Sequence, residues 1–128
     1  MKPNLRIFVV EDHDDTTSVL CSLLRDWGHD VRSATTVSAA KEALSLRTSD
    51  VLLSDIGLPD GDGWQLIETL GPHAPLYAIA ISGYGMPADR QRSLSAGYRH
   101  HLVKPFEADA LRSLLLDAAI EVGSKLLR

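Results

Sequence analysis

The sequence has little of several features that mark whole classes of protein. Its one cysteine, Cys21, cannot form a disulfide within the chain, which agrees with a reducing, cytoplasmic location. The 13 basic side chains are outnumbered by 17 acidic ones, and a formal net charge of −4 argues against a surface that binds nucleic acid. No apolar run is long enough to cross a bilayer, and Asn4 and Arg6 interrupt the first apolar segment, so we predict neither a membrane span nor a signal peptide.

The length and composition are those of one folded domain. With 128 residues, of which 45% are hydrophobic, the chain has enough apolar side chains for a sizeable core. It is too short for a second folded domain after the first. We therefore expect residues 1–128 to form a single domain, without an internal linker or repeat.

Short apolar runs typical of buried strands alternate with segments whose apolar residues recur at helical spacing. The predicted strands are Ile7–Val10, Asp30–Ala34, Val51–Asp55, Tyr77–Ile81 and Arg99–Val103. The predicted helices include Val19–Trp27, Val37–Leu44 with Thr36 or Thr35 as cap, Trp64–Leu70, Met86–Ala96 and Glu107 to about Leu127. Residues 57–63 are dense in turn formers and are expected to be a loop. The alternation indicates five βα units, an α/β fold whose parallel sheet is covered by helices on both faces.

Polar side chains stand at the carboxyl ends of four of these strands. Glu11 and Asp12 follow the first strand, Asp55 ends the third, Ser82 follows the fourth and Lys104 follows the fifth. In an open α/β sheet, ligands bind at this edge, beside the point where the strand order reverses. We therefore expect these five side chains to converge on a single crevice.

The kinds of side chain in this crevice indicate a hard cation and a phosphoryl group. Three carboxylates this close repel one another strongly unless a cation lies among them. A ligand set of oxygens, without histidine or cysteine, suits Mg²⁺. Lys104 would neutralise charge on a transferring phosphoryl group, and Ser82 would donate a hydrogen bond to one of its oxygens. Asp55 is the sensible nucleophile, because carboxylates form aspartyl-phosphates and it alone ends a central strand.

With these residues identified, the sequence resembles the receiver domains of two-component response regulators, in particular chemotaxis-regulator-like ones. The matching motifs are Val9–His13 (VVEDH), Ser54–Gly63 (SDIGLPDGDG), Ser82-Gly83 and Lys104-Pro105, and the resemblance extends over roughly residues 5–116. Each motif is weak by itself, but all of them in this order and at these spacings are very specific. The resemblance implies a doubly wound, flavodoxin-like (βα)₅ fold with a five-stranded parallel sheet in the order 2-1-3-4-5.

The resemblance also implies Mg²⁺ as the cofactor. Asp12 and Asp55 would bind the ion directly, as would the backbone carbonyl of Gly57. Glu11 often acts through water in such domains. The chain would be a phosphorylated signalling domain and not an enzyme, although it would assist its own phosphorylation and dephosphorylation.

The same resemblance implies the partners. Asp55 would receive a phosphoryl group from a phosphohistidine on a histidine kinase or a histidine phosphotransfer protein, with Ser82 and Lys104 in contact with the phosphoryl oxygens. The peptide bond between Lys104 and Pro105 is often cis in the family. A downstream protein would contact the face formed by the fourth helix, the fifth strand and the fifth helix, and a homodimer is left open.

One position departs from the family pattern. Receiver domains usually carry Tyr or Phe three residues before the lysine, as a rotating switch that follows the Ser/Thr, and this chain has His101 there. We hypothesise that His101 either replaces the aromatic rotor or makes switching sensitive to pH. Gly57 and Tyr84 occupy positions that tune access of hydrolytic water in the family, so the lifetime of the phosphate is not predicted.

The remaining polar residues have structural interpretations. The other acids near the site are expected to be start-of-helix, turn or cap residues: Asp14, Asp15, Asp60 and Asp62. The other histidines lack metal-ligand spacing and are predicted to be surface residues: His13, His29, His73 and His100. Cys21 is predicted to be an inert thiol, and Trp27 and Trp64 to be packing residues.

Two rival functions share the fold. A flavodoxin-like carrier would cradle the phosphate of FMN in a loop rich in hydroxyls and glycine after the first strand, whereas residues 11–15 are Glu-Asp-His-Asp-Asp and would repel it. A pseudo-receiver that only mediates protein contacts usually lacks one of the acids or the lysine, and this chain keeps them all. The context is open between a stand-alone regulator and the receiver of a hybrid histidine kinase.

Overall fold

A computed structural model describes residues 5–83 and 87–126 of the chain. In chain order, its strands are β1 (Arg6–Val10), β2 (Asp30–Ala34), β3 (Val51–Asp55), β4 (Gly57–Leu58), β5 (Gly61–Asp62), β6 (Tyr77–Ser82) and β7 (His100–Val103). Five strands form one sheet of parallel neighbours in the order β2-β1-β3-β6-β7. Because β4 and β5 form a separate pair, β6 and β7 are the fourth and fifth strands of this sheet. Its order is therefore the 2-1-3-4-5 that the resemblance implied, and the α/β, flavodoxin-like fold is confirmed.

Helices connect the strands and cover the sheet. They are α1 (Asp14–Asp26), α2 (Val37–Leu46), α3 (Gly63–Leu70), α4 (Pro87–Ala96) and α5 (Ala108–Leu126), with a 3₁₀ turn at Gly71–His73. The side chain of Thr36 accepts the N–H of Ala39 and so caps α2. Gly28, which follows α1, has a φ of 95°, a left-handed conformation that favours glycine. Of the two caps predicted for α2, Thr36 is confirmed, and α1 ends at Asp26, one residue before the predicted Trp27.

Each face of the sheet has its own apolar core. Successive strand residues point to opposite faces, so Val9 and Leu53 belong to the core under α1 and α5, whereas Phe8 and Leu52 belong to the core under α2 and α3. All four side chains are buried. Because both faces are covered, the inner strands β1, β3 and β6 are mainly apolar between their ends, whereas the edge strands β2 and β7 carry polar residues along their length. The loops that carry the candidate site project from the carboxyl edge of this sheet.

The segment 57–63 is more ordered than the loop that its turn formers predicted. β4 and β5 pair antiparallel, with Gly57 opposite Asp62, and Gly63 already begins α3. The Asp60 carboxylate accepts the N–H groups of Val37 (2.7 Å) and Ser38 (3.0 Å). These hydrogen bonds lower the pKa of Asp60 and fasten the hairpin to the amino terminus of α2. The turn formers therefore bend the chain back into a small hairpin.

Other differences from the predicted elements are small. β6 extends to Ser82, so that this side chain ends the strand instead of following it, and β7 begins at His100, not Arg99. The peptide bond between Lys104 and Pro105 is cis. Predictions for Tyr84, Met86 and Leu127 fall outside the described residues. Within the described part, no helix has both the length and the apolar character needed to cross a membrane.

Candidate functional site

Three carboxylates lie together at the carboxyl edge of the sheet. β1 and β3 are parallel neighbours with Val10 opposite Ser54, so the residues that follow the two strands come close. One oxygen each from Glu11, Asp12 and Asp55 lies within 4.8 Å of the other two. Glu11 is buried, whereas Asp12 is exposed. The structure thus brings together the three acids that the sequence predicted to converge.

Lys104 reaches the same carboxylates from the end of β7. Its backbone N–H donates to the carbonyl of Ser82 at 2.7 Å, which holds it beside the end of β6. Its Nζ lies 2.9 Å from Oε2 of Glu11 and 3.1 Å from Oδ2 of Asp55. One ammonium therefore bridges two of the three carboxylates. We call Glu11, Asp12, Asp55 and Lys104 the acceptor cluster.

The acceptor cluster carries an excess of negative charge. Burial raises the pKa of Asp55, the neighbouring Glu11 carboxyl raises it further, and the Lys104 ammonium opposes both effects. Burial lowers the pKa of Lys104, but the hydrogen bonds to Glu11 and Asp55 outweigh burial, so this pKa lies above its usual value. Both shifts have the sign expected when one cation must balance several carboxylates. A second cation would relieve the remaining repulsion.

The ligand atoms on offer fit Mg²⁺. All the side-chain candidates are carboxylate oxygens, and Mg²⁺ typically uses one or two carboxylates while it keeps several waters. The N–H of Gly57 donates to Oδ1 of Asp55 at 3.3 Å, so this residue borders the cluster. A Cβ on Gly57 would meet no atom within 4 Å, which leaves open space for water beside the carboxylates.

Ser82 and His101 are in direct contact. Ser82 ends β6 and is only 3% exposed. Its Oγ lies 2.8 Å from Nε2 of His101, and Nδ1 of His101 lies 2.8 Å from Oγ of Ser93 on α4. His101, at the predicted switch position, therefore connects Ser82 at the end of β6 to Ser93 on α4. Transmission through His101, as rotor or as pH sensor, stays a prediction.

Two members of this hydrogen-bonded set were missed in the sequence. Ser93 is fully buried, and its Oγ also accepts the indole N–H of Trp64 at 2.9 Å. Trp64 was predicted only to pack, which it does against the Arg92 guanidinium, 4.2 Å from the ring centroid. The sequence gives one indication that Ser93 is buried. Because α4 has few apolar residues, the side of the helix that faces the interior has to include a small polar side chain.

The other polar residues mostly have the structural places predicted for them. Asp62 accepts the N–H of Gln65 at 2.8 Å and caps α3. The prediction of surface histidines is wrong for His29 and His100, which are partly buried. Nδ1 of His29 accepts the N–H of Leu5 at 3.2 Å, and His100 lies beside the ring of Tyr77. These side chains complete packing and backbone hydrogen bonds, which spacing alone does not reveal.

An open groove of about 420 Å³ adjoins the acceptor cluster. Glu11 and Lys104 line its inner end, while Val19 and Leu23 of α1 and Phe106 after β7 provide apolar walls. Val19 is 70% exposed. The groove therefore offers a contact surface that is continuous with the charged site.

The comparisons with known proteins agree with this geometry. The family model described as the response regulator receiver domain matches residues 7–116. The chain belongs to the response regulator receiver domain family. As a receiver domain it is a signalling domain of two-component systems, and the acidic pocket of such domains binds Mg²⁺, which matches the carboxylates of its acceptor cluster.

Relatives of this receiver domain occur in several settings. A 14.6 kDa protein of Leptolyngbya boryana, from the sodA1 3′ region, is 38% identical over 79% of this chain and 79% of its own length. The response regulator protein PilR of Pseudomonas aeruginosa is 32% identical over 88% of this chain, but the match is only 26% of PilR. The sensor histidine kinase RcsC of Salmonella typhi is 30% identical over 88% of this chain and 12% of the kinase. In the last two, the receiver is a small part of a longer protein.

A solved structure shows the same fold. The CheY-like response regulator receiver domain protein of Methanospirillum hungatei has a TM-score of 0.85 to this receiver domain and is 25% identical. The match covers 94% of this chain and 97% of that one. The likeness therefore extends over the sheet and its helices, not over one motif alone.

Proposed function

We propose that Asp55 of this receiver domain accepts a phosphoryl group from a phosphohistidine of a donor protein. We also propose that residues 1–128 form one such domain. The observation that carries the proposal is the contact of the Asp55 carboxylate with the Lys104 ammonium, inside a cluster of three carboxylates. A carboxylate nucleophile next to a fixed cation has what phosphoryl transfer needs, because catalysis of that reaction is mostly positioning and charge stabilisation.

The transfer conserves atoms and charge in a simple way. A carboxylate oxygen of Asp55 forms the new O–P bond while the N–P bond of the donor phosphohistidine breaks. The electron pair of that bond stays on the nitrogen, and because the other ring nitrogen carries a proton, the imidazole leaves as a neutral group. Lys104 neutralises the phosphoryl oxygens as it exchanges its contact with Asp55 for one with them, while Glu11 keeps it in place. Ser82 donates a hydrogen bond from its hydroxyl to another phosphoryl oxygen. The same groups assist hydrolysis of the aspartyl-phosphate.

Mg²⁺ belongs to this proposal as the resident cofactor. Asp12, Asp55 and the backbone carbonyl of Gly57 would hold it directly, with Glu11 acting through water. Bound there, the ion supplies positive charge to the phosphoryl oxygens. The support is the chemistry of the donor set, in which each of three clustered side chains offers an oxygen.

The partners and setting follow from the same proposal. A histidine kinase or phosphotransfer protein donates the phosphoryl group, and the apolar groove beside the acceptor cluster is its docking surface. A downstream protein, or a second copy of the chain, contacts the face formed by α4, β7 and α5, where Leu94 and Ile120 are 52% and 71% exposed. A stand-alone regulator and a hybrid kinase both stay open, and we place the domain in the cytoplasm, in keeping with the buried free thiol of Cys21.

The flavin-carrier alternative gains no support at this edge of the sheet. Glu11 and Asp12 occupy the loop in which a flavodoxin-like protein would hold a phosphate, and their charges would repel it. The contacts of Lys104 argue against the pseudo-receiver alternative. The lysine and two of the acids, residues that such domains usually lack in part, are all present here and hydrogen-bonded to one another.

Intact-mass measurement after treatment with acetyl phosphate and Mg²⁺ tests the acceptor function. We expect the wild type to gain the mass of one phosphoryl group, and Asp55→Ala to gain none. Asp14→Asn, which changes an exposed acid in the first turn of α1, is the matched control and should be modified like the wild type. Equal modification of the wild type and Asp55→Ala would refute the proposal.

A further inference from the structure

Four polar side chains form a continuous hydrogen-bonded row from α3 to the end of β6. The indole N–H of Trp64 donates to Oγ of Ser93 at 2.9 Å, Oγ of Ser93 lies 2.8 Å from Nδ1 of His101, and Nε2 of His101 lies 2.8 Å from Oγ of Ser82. The two serines are 0% and 3% exposed. We call Trp64, Ser93, His101 and Ser82 the relay.

The protons of the relay can be counted from its two ends. An indole N–H only donates, each hydroxyl has one proton to donate, and a neutral imidazole donates from one nitrogen and accepts at the other. When the Ser82 hydroxyl donates its one hydrogen bond to a phosphoryl oxygen, its Oγ can meet Nε2 of His101 only as an acceptor. Nε2 then carries the proton of the imidazole, and Nδ1 must accept from the Ser93 hydroxyl. Ser93 in turn accepts from Trp64, as observed.

With a neutral imidazole, only one direction of the row therefore keeps its three hydrogen bonds in the phosphorylated state. All donors point from Trp64 through Ser93, His101 and Ser82 towards the phosphoryl group. A chain of hydrogen bonds with a common direction is strengthened by mutual polarisation in a buried site. The reverse direction would leave the Ser82 hydroxyl donating to His101 instead of to the phosphoryl oxygen.

We propose that Ser93, supported by Trp64, holds His101 as the neutral Nε2-protonated tautomer and thereby directs the Ser82 hydroxyl at the phosphoryl group on Asp55. Ser93 and Trp64 are positioning residues, because they act through His101 and do not touch the reacting atoms. The inference rests on the proposed acceptor function and adds a route from it to α3 and α4. His101 in this row is a fixed connector between two buried serines, not a ring that swings.

The direct test is nitrogen NMR of the side chains with beryllofluoride and Mg²⁺, since beryllofluoride mimics a phosphoryl group on an aspartate. In the wild type we expect the neutral Nε2-protonated tautomer of His101 and a shifted indole signal of Trp64, while the indole signal of Trp27 stays in place. The two signals are assigned by their loss in His101→Phe and Trp64→Phe. Another tautomer, or a charged imidazole, in the beryllofluoride-bound wild type would overturn the relay.

The variants separate positioning from mere folding. Ser93→Ala is expected to give a mixture of His101 tautomers, to abolish the Trp64 shift and to weaken beryllofluoride binding by about fivefold, the effect of one hydrogen bond. Ser95→Ala, at an exposed serine of the same helix, should match the wild type. Trp64→Phe keeps an aromatic ring against Arg92 but has no N–H. As in Ser93→Ala, the fraction of the Nε2-protonated tautomer of His101 should fall, but by a smaller amount.

The outcomes distinguish the relay from the function on which it rests. A wild type that binds no beryllofluoride refutes the acceptor function and the relay with it. Normal binding by the wild type, together with wild-type tautomer, indole shift and affinity in Ser93→Ala, refutes the relay alone. Melting curves of each variant verify that these measurements are made on folded protein.

Discussion

The acceptor cluster consists of charged side chains and is partly open to water, whereas the relay contains no carboxylate or ammonium and is built around two buried serines. The two regions are joined where the backbone N–H of Lys104 donates to the carbonyl of Ser82. In the cluster, Asp12 is exposed and Lys104 is 32% exposed at its side chain, so water and ions can adjust to an incoming charge. In the relay, loss of the contact with Trp64 or with His101 removes a hydrogen-bond partner from the fully buried hydroxyl of Ser93. The cluster therefore suits the proposed gain of a phosphoryl group, in which Lys104 exchanges one contact for another, whereas the proposed role of the relay depends on the direction of its hydrogen bonds.

Removal of the one ammonium in the acceptor cluster should have the largest effect. Lys104→Met takes away the charge that bridges Glu11 and Asp55, and we expect phosphorylation by acetyl phosphate to slow by about 100-fold or more. Lys41→Met, at an exposed lysine of α2, controls for the loss of a surface lysine. Rates close to that of the wild type would show that Lys104 balances charge in the resting site only.

The exposed acid of the cluster should govern the response to metal. With Mg²⁺ at a hundred times its dissociation constant, the wild type should gain about 2.7 kcal/mol in the free energy of unfolding. Asp12→Asn should gain much less, because it removes a charged ligand without disturbing a buried contact. Chemical denaturation with and without Mg²⁺ measures both, and Asp14→Asn should respond like the wild type. Equal gains in Asp12→Asn and wild type would contradict the ligand assignment.

The groove should affect transfer from a protein donor but not from a small one. Val19→Asp puts a charge on its exposed apolar wall, and we expect transfer from a phosphorylated donor protein to slow by about tenfold. Phosphorylation by acetyl phosphate should stay unchanged, since that donor needs no groove. Leu46→Asp is the matched control, because Leu46 is 82% exposed on a different helix. If the two variants slow protein-donor transfer equally, the donor docks elsewhere.

The smallest expected effect concerns pH and lies away from both regions. Burial lowers the pKa of His29 below the 6.5 of an ordinary histidine, and its Nδ1 accepts the N–H of Leu5. The unfolded chain therefore binds more protons in this range, and stability is full above pH 6.5 and declines as the pH falls towards the lower folded value.

Urea midpoints at several pH values check this prediction. Wild type should lose more stability than His29→Gln between neutral pH and pH values below the ordinary histidine pKa. The same loss in both proteins would show that a group other than His29 titrates in this range.

The contrast between the two regions explains what could be predicted from the sequence. Strand order and strand ends place Glu11, Asp12, Asp55 and Lys104 together, because a buried strand is apolar until it ends and the polar residues then stand out. The fold followed from the same alternation, together with the family resemblance. The acceptor cluster could therefore be predicted from the sequence alone.

The relay could not be predicted in the same way. Ser93 is one serine among several in a polar helix, and nothing in its neighbours marks it as the buried one. Trp64 packs, as predicted, but the direction of its N–H depends on how α3 and α4 meet. The hairpin at residues 57–62 and the Asp60 contact with α2 were not predicted for the same reason. Each depends on the approach of two elements, which a pattern along one segment does not contain.

The most direct measurement of the central claim is the location of the phosphoryl group. The chain is treated with acetyl phosphate and Mg²⁺, the aspartyl-phosphate is reduced with borohydride to homoserine, and peptides are sequenced by mass spectrometry. We predict homoserine at position 55 alone, in place of Asp55. Homoserine at position 12, 5-hydroxynorvaline (the reduced form of a glutamyl phosphate) at position 11, or no reduced residue after confirmed modification would contradict the assignment.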